Sequence, residues 1–160
     1  MARIATRNVR GKDEVLPIID HSVGKNGSNW HDDVQLIQFL LNCANQHNGS
    51  ANPFYHTMSA PLLMDGFCGR KTQATILQYQ QSCNRQPGFS PGFKVMNEDG
   101  VITATNEAFL WGSHGHLRMT TMYALNDDFQ SVLMFHLIEL QRLLGQCHSK
   151  VMTDLKRILG

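Results

Sequence analysis

One stretch limits what this chain can become: Asp65-Gly66-Phe67-Cys68-Gly69-Arg70-Lys71-Thr72-Gln73-Ala74-Thr75-Ile76-Leu77-Gln78-Tyr79-Gln80. It reads as a tight loop feeding an amphipathic helix. Gly66 and Gly69 can take the positive φ that most residues avoid. The Asp65 carboxylate is short enough to accept backbone N–H bonds in the loop or at the helix start. Phe67, between the glycines, is expected to point inward and pin the loop to a core. Thr72, Thr75, Ile76 and Tyr79 recur at helical spacing and make one face. A variant follows at Asp99-Gly100-Val101-Ile102-Thr103. Asp99-Gly100 matches Asp65-Gly66, Val101 matches Phe67, and Thr103, itself a fair N-cap, stands where Gly69 does. The chain makes one supersecondary unit twice. The shared context reads Asp65 and Asp99 as backbone staples rather than a catalytic carboxylate pair.

The segments around this repeat are expected to be helical or irregular. Residues 1 to 14 read as a loose arm. Val15, Leu16, Ile18 and Ile19 suggest a short extended piece, with Pro17 arguing for an edge or irregular segment. A turn-rich loop, residues 22–29, delivers the chain to a helix with Asn29 as N-cap and Asp32 and Asp33 in its first turn. Val34, Ile37, Leu41 and Ala44 form its main stripe up to Asn45. A long polar loop precedes the first unit, and the helix of that unit ends near Ser82. Residues 84–97, with Pro87-Gly88 and Pro91-Gly92, make a second loop. In the tail, a helix is expected from Asn126, with Asp127 and Asp128 in its first turn, to Leu144. It is apolar almost all round and so needs covering. Ser149 is expected to cap a last helix. The two would form a hairpin packed on the core, or a surface for a partner.

Composition excludes several functions. The chain has 160 residues, with 14 Lys plus Arg against 13 Asp plus Glu. That balance gives no electrostatic footprint for nucleic acid. No apolar run is long enough to span a bilayer. The polar, basic N-terminus has no apolar stretch of the signal-peptide kind. The expected site of synthesis and residence is the cytoplasm. A removed leader, or export to the periplasm or wall by a leaderless route, stays open. Cys43, Cys68, Cys83 and Cys147 show no CxxC spacing and read as reduced, mostly buried thiols. Neither Cys68 nor Cys83 has a neighbouring His and acid that would make it a nucleophile. His114-Gly115-His116 lacks the third ligand a zinc site needs, and His136 with Glu139 reads as ordinary helix surface. No metal and no cofactor is expected.

Taken in order, the motifs resemble the peptidoglycan-binding-like domain, the small three-helix module attached to many cell-wall hydrolases. Its first part, D-V-x-x-L-Q-x-x-L-N, reads here as Asp33-Val34-Gln35-Leu36-Ile37-Gln38-Phe39-Leu40-Leu41-Asn42. Its second, D-G-x-F-G-x-x-T-x-x-A-V-x-x-F-Q, is Asp65 through Gln80, and its third, D-G-x-x-G-x-x-T-x-x-x-L, is Asp99 through Leu110. The resemblance covers residues 22–111. Cys68 stands at the usual aromatic position, with Phe67 before it. Thr103 and Asn106 replace the Gly and Thr of the third part.

The resemblance implies an all-α protein. A three-helix core at residues 21–112 would be preceded by an N-terminal arm at 1–20. A C-terminal helical extension at 113–160 would pack on it. It implies non-catalytic binding of bacterial peptidoglycan or its stem peptide, positioning an activity supplied elsewhere. The groove would lie between the loops before the second and third helices, with Arg70, Asn84, Asp99 and Trp111 as contacts. Arg70 is the best handle for an anionic glycan or a peptide carboxylate. Tyr55, Tyr79 and Trp111 could stack on sugar faces, Tyr79 being better suited to the core. The alternative is a protein-interaction module on the same fold, with a partner on the 126–159 helices. It could be a component or cargo of a leaderless secretion system, or a phage protein. Were the chain an enzyme, it would be a peptidoglycan hydrolase.

Overall fold

The apolar stripe expected on the first helix circles it. In the computed structural model, which describes residues 2–9, 11–49, 61–85, 96–104, 120–135 and 137–160, the helix α1 (His31–Gly49) has no solvent-facing side from Asp33 to Ala44. Val34, Leu36, Ile37, Phe39, Leu40, Leu41, Cys43 and Ala44 are each no more than 1% exposed. Such a helix must be enclosed by other elements. Around it stand α2 (Arg70–Asn84), α3 (Thr121–Phe135), α4 (Leu137–Gly145) and α5 (Lys150–Leu159). Phe39 of α1 meets Phe129 of α3 edge-on, ring centres 6.0 Å apart.

Burial on all sides leaves the polar residues of α1 needing partners, because an orphaned buried group costs about 1–3 kcal/mol. Asp33, Gln35, Gln38 and Asn42 are all buried, and each reaches a stretch of backbone. Gln35 donates to Met64 O and accepts from Ser149 N–H. Asn42 closes a two-bond ring on Leu62, donating to its carbonyl and accepting from its N–H at 2.9 and 2.8 Å. Gln38 does the most. Its Oε1 accepts from Gly66 N–H at 2.9 Å. Its amide nitrogen faces Asp65 Oδ1, Phe67 O and Thr72 Oγ1. Asp65 Oδ1 also accepts from Phe67 N–H.

The second unit repeats these contacts on α2. Asn84 closes the same ring on Met96. Gln80 accepts from Gly100 N–H at 2.8 Å and donates towards Asp99 Oδ1, Val101 O and Thr121 Oγ1. Asp99 Oδ1 accepts from Val101 N–H. Gly66 and Gly100 both take positive φ, 75° and 72°, which places their N–H groups where the glutamine oxygen can reach them. The second loop pairs with the turn ahead of α1 through two-residue strands, β3 (Val23–Gly24) and β4 (Val101–Ile102). A Cβ on Gly24 would lie 2.1 Å from Gly100 O, so only glycine fits there.

The all-α expectation is corrected by these strands and by a second antiparallel sheet at the N-terminus. Residues 1–14, read as a loose arm, supply β1 (Arg3–Val9) and the start of β2 (Lys12–Ile18), whose end is the extended piece expected at Val15–Ile18; the two pair from Arg3–Ile18 to Val9–Lys12. An isolated two-stranded hairpin is marginal in water. This one is held because it lies on α3 and α5. Asn126 donates to Pro17 O, and Gln130 to Val15 O. Val15, Leu16, Ile18 and Ile19 are buried. The hairpin covers part of α3, with Asn126 and Gln130 supplying the polar contacts.

Further differences follow from the same packing. Asn29 does not cap α1. It has φ 51°, and its side chain is bonded back to Gly24 and Gly27. The tail helix expected at 126–144 begins earlier, at Thr121, and is seen as α3 and α4 on either side of residue 136, which lies outside the described residues. Asn126 lies inside α3, and Asp127 and Asp128 fall in the second turn rather than the first. Ser149 precedes α5, but its buried Oγ finds no hydrogen-bond partner among the described residues. Residues 105–110 of the expected third helix lie outside the described residues. The helix that closes the Gln80 contacts is α3, through Thr121.

Gln38→Glu tests the first loop contact. It keeps the shape and the acceptor for Gly66 N–H, but sets a carboxylate against Asp65 and Phe67 O. The expected cost in urea unfolding is about 2–4 kcal/mol, at least that of Gln38→Ala. Unchanged stability would show the contact to be idle.

A second test uses Asp128, whose Oδ2 accepts from Tyr79 O–H at 2.6 Å between α2 and α3. Burial pushes its carboxyl up from 3.8 to about 6, the Tyr79 bond opposing and Asp127 adding repulsion. An acid raised in this way binds more protons folded than unfolded. Stability is therefore greatest below pH 4 as far as this group is concerned, and falls as pH rises through about 6. Asp128→Asn keeps an acceptor for Tyr79 and removes the charge. It is expected to stabilise by about 2 kcal/mol at neutral pH and to flatten that slope. A slope unchanged in melting scans would contradict the assignment.

Candidate functional site

The elements around the N-terminal end of α1 bring rings to the surface. Trp30 precedes the helix, its carbonyl accepting from Val34 N–H at 2.9 Å. Its indole is 56% exposed. His21 stacks on it, ring centres 4.4 Å apart and planes within 5°. The imidazole is held in turn: its Nδ1 lies 3.0 Å from Oδ2 of Asp33, which is fully buried and also accepts from Asp20 N–H. A buried carboxylate therefore orients a half-buried imidazole, and the imidazole orients the indole.

Beside it, His31 meets Phe67 edge-on, ring centres 5.9 Å apart at 89°. Phe67 is 70% exposed, which corrects the expectation that it points inward. The two repeats explain why. The position after each Asp-Gly is the more exposed of the next two: Phe67 is exposed and Val101 half-buried. The next turns in: Cys68 packs against the core, and Ile102 is fully buried. The Gln38 bonds to Asp65, Gly66 and Phe67 O set that register. They also hold Gly66 against His31, where a Cβ would lie 2.5 Å from the imidazole. Leu63, in the same segment, is exposed as well.

The four contacts expected from sequence are spread out. Arg70 is exposed at the first position of α2, three residues beyond Phe67. Asn84 ends the same helix, about 21 Å away along its axis. Its amide is bonded to Met96 and to Glu98 Oε1. Asp99 holds Val101 N–H and the Gln80 amide. Trp111 lies outside the described residues, as do Tyr55, His114, His116 and His136. Of the four, Arg70 is the one exposed near Phe67 in sequence, and Asn84 and Asp99 belong to the second loop contact. Trp30, His31, Phe67 and the Asp33–His21 pair were missed. The adjacent Trp30-His31 was the available signal, but rings just ahead of a helix leave no periodic trace.

The remaining reactive groups are arranged for packing. The four cysteines are free, and Cys43 and Cys147 are buried. Burial pushes the Cys83 thiol up to about 12 and the Cys147 thiol up to about 11, so both are thiols at neutral pH. Among the described residues, no three His, Cys, Asp or Glu side chains gather as a metal site would require. No helix among them is long and apolar enough to cross a membrane.

Compared with known families, curated proteins and solved structures, the chain matches no family model, no curated protein and no solved structure.

Proposed function

We propose that this chain is a non-catalytic module that recognises bacterial cell-wall peptidoglycan and positions an activity supplied elsewhere, built on the peptidoglycan-binding-like plan. The observation that carries the reading is the twice-made loop contact. Gln38 with Asn42, and Gln80 with Asn84, each bind an Asp-Gly loop through the same backbone atoms. Gln38 and Asn42 stand in the first motif of the resemblance and Gln80 in the second. The Asp-Gly pairs open the second and third. The reading gives these residues a common purpose, a rigid scaffold that presents loops. Phe67 is exposed on the first of those loops, Trp30 is exposed just ahead of α1, and Arg70 is exposed three residues beyond Phe67, suited to a carboxylate of the glycan or stem peptide.

A second reading, a protein-interaction module, is favoured by a different place. Met134, Leu137 and Ile138, where α3 passes to α4, are 74%, 48% and 82% exposed. Contiguous exposed apolar side chains mark contact surfaces more often than chance. A secretion-system component or cargo, or a phage protein, would fit such a surface.

The test is co-sedimentation of the purified chain with insoluble peptidoglycan, with muropeptide release assayed in the same tube. The expected result is protein in the pellet and no release. Protein left in the supernatant contradicts wall binding and turns attention to the Met134–Ile138 surface. Released muropeptides would contradict the non-catalytic reading.

A further inference from the structure

We propose that the Trp30 and Phe67 rings form a stacking platform for the sugar rings of a glycan strand, so that the module reads the saccharide and not the peptide of its ligand. This rests on the wall-binding reading and names the part of the polymer recognised. Three features of the site point to a sugar. The first is ring availability. One indole face is covered by His21, so the exposure of Trp30 belongs to the other face and the edges. Phe67 meets His31 at a right angle and is 70% exposed. A pyranose presents a face of C–H groups that an aromatic face can cover, and exposed rings of this size supply contact area at little entropic cost.

The second feature is rigidity. Each ring is placed by an imidazole that is itself placed. His21 is held by buried Asp33, and His31 is packed against Gly66, which Gln38 holds. Trp30 also follows directly on Asn29, whose side chain is bonded to Gly24 and Gly27. Pre-placed rings avoid the ordering cost that weakens binding by mobile loops. The third is the rim. His21, His31 and Asp32 border the rings with groups able to donate or accept hydrogen bonds. Hydroxyl and acetamido groups need such a rim, and an aliphatic protein contact does not. The site differs in this from the Met134–Ile138 surface, whose exposed members are aliphatic or thioether.

The experiment titrates the full chain with two probes: glycan strands stripped of their stem peptides, and the free stem pentapeptide. Binding is read by calorimetry, and variants are checked by melting. The stripped glycan is expected to bind. Trp30→Ala and Phe67→Ala are each expected to weaken it about tenfold with melting unchanged, since both side chains are exposed. His21→Ala, which frees the indole without removing it, is expected to give a smaller loss. Glycan binding unaffected by Trp30→Ala and Phe67→Ala overturns the platform while wall binding stands. Binding of the pentapeptide with none of the glycan overturns the sugar assignment, again leaving wall binding in place. If neither probe binds and whole sacculi do not sediment the protein, the wall-binding reading fails as well. If sacculi do sediment it, the platform alone fails.

Discussion

A side-chain amide that pairs with a loop backbone is the constraint on which the rest of the structure depends. Glutamine carries a donor and an acceptor on one rigid group, so it can satisfy a loop much as a neighbouring strand would. Gln38 and Gln80 each do this for an Asp-Gly turn, taking the N–H of the positive-φ glycine and facing the carbonyl one residue on. A threonine at the start of the next helix among the described residues completes each set, Thr72 in one and Thr121 in the other. The partner helix thus fixes both the loop and the beginning of the next helix. Asp65 is tuned to its part. Burial would raise its carboxyl, but the bonds from Phe67 N–H and the Gln38 amide hold it below its usual value, ionised as a staple should be.

This arrangement explains why α1 can be buried on every side. Its polar residues are aimed at backbone that would otherwise be unsatisfied, so each removes two orphans at once. It also sets what reaches the surface. With the Gln38 bonds fixing register, Phe67 must turn out and Cys68 in. The buried Asp33 continues the pattern one turn earlier, through His21 to Trp30. Scaffold and surface are thus joined through two buried polar residues of one helix, Asp33 and Gln38.

Much of this was legible in the sequence, and the gaps have physical causes. The Asp-Gly repeat and the staple role of its aspartates follow from local chemistry. The two helices on either side of the first loop follow from periodicity, to within a few residues at their ends. The hairpin was hidden because Lys12–Ile18 does not alternate, and Arg3–Val9 is mostly polar; its stability comes from α3 and α5, far away in sequence. The true partner of Gln80 was hidden because Thr121 follows Asp99 by twenty-two residues, where Thr72 follows Asp65 by seven. Closing the longer span adds only about 1 kcal/mol of loop entropy, so nothing forbids it and nothing local announces it. Phe67 was misread because an aromatic between glycines resembles an anchor. Only the backbone register shows that its successor is the anchor.

The account stands or falls on the two loops being held by side-chain amides. Native-state hydrogen exchange of the backbone amides of Leu62, Gly66, Met96 and Gly100 measures this directly. These groups lie outside any helix, yet each donates to an amide oxygen of Asn42, Gln38, Asn84 or Gln80 at 2.8 to 3.1 Å. The account predicts protection comparable to that of the buried turns of α1, opening only with the fold as a whole. Exchange of these four amides at the rates of exposed loops would contradict it.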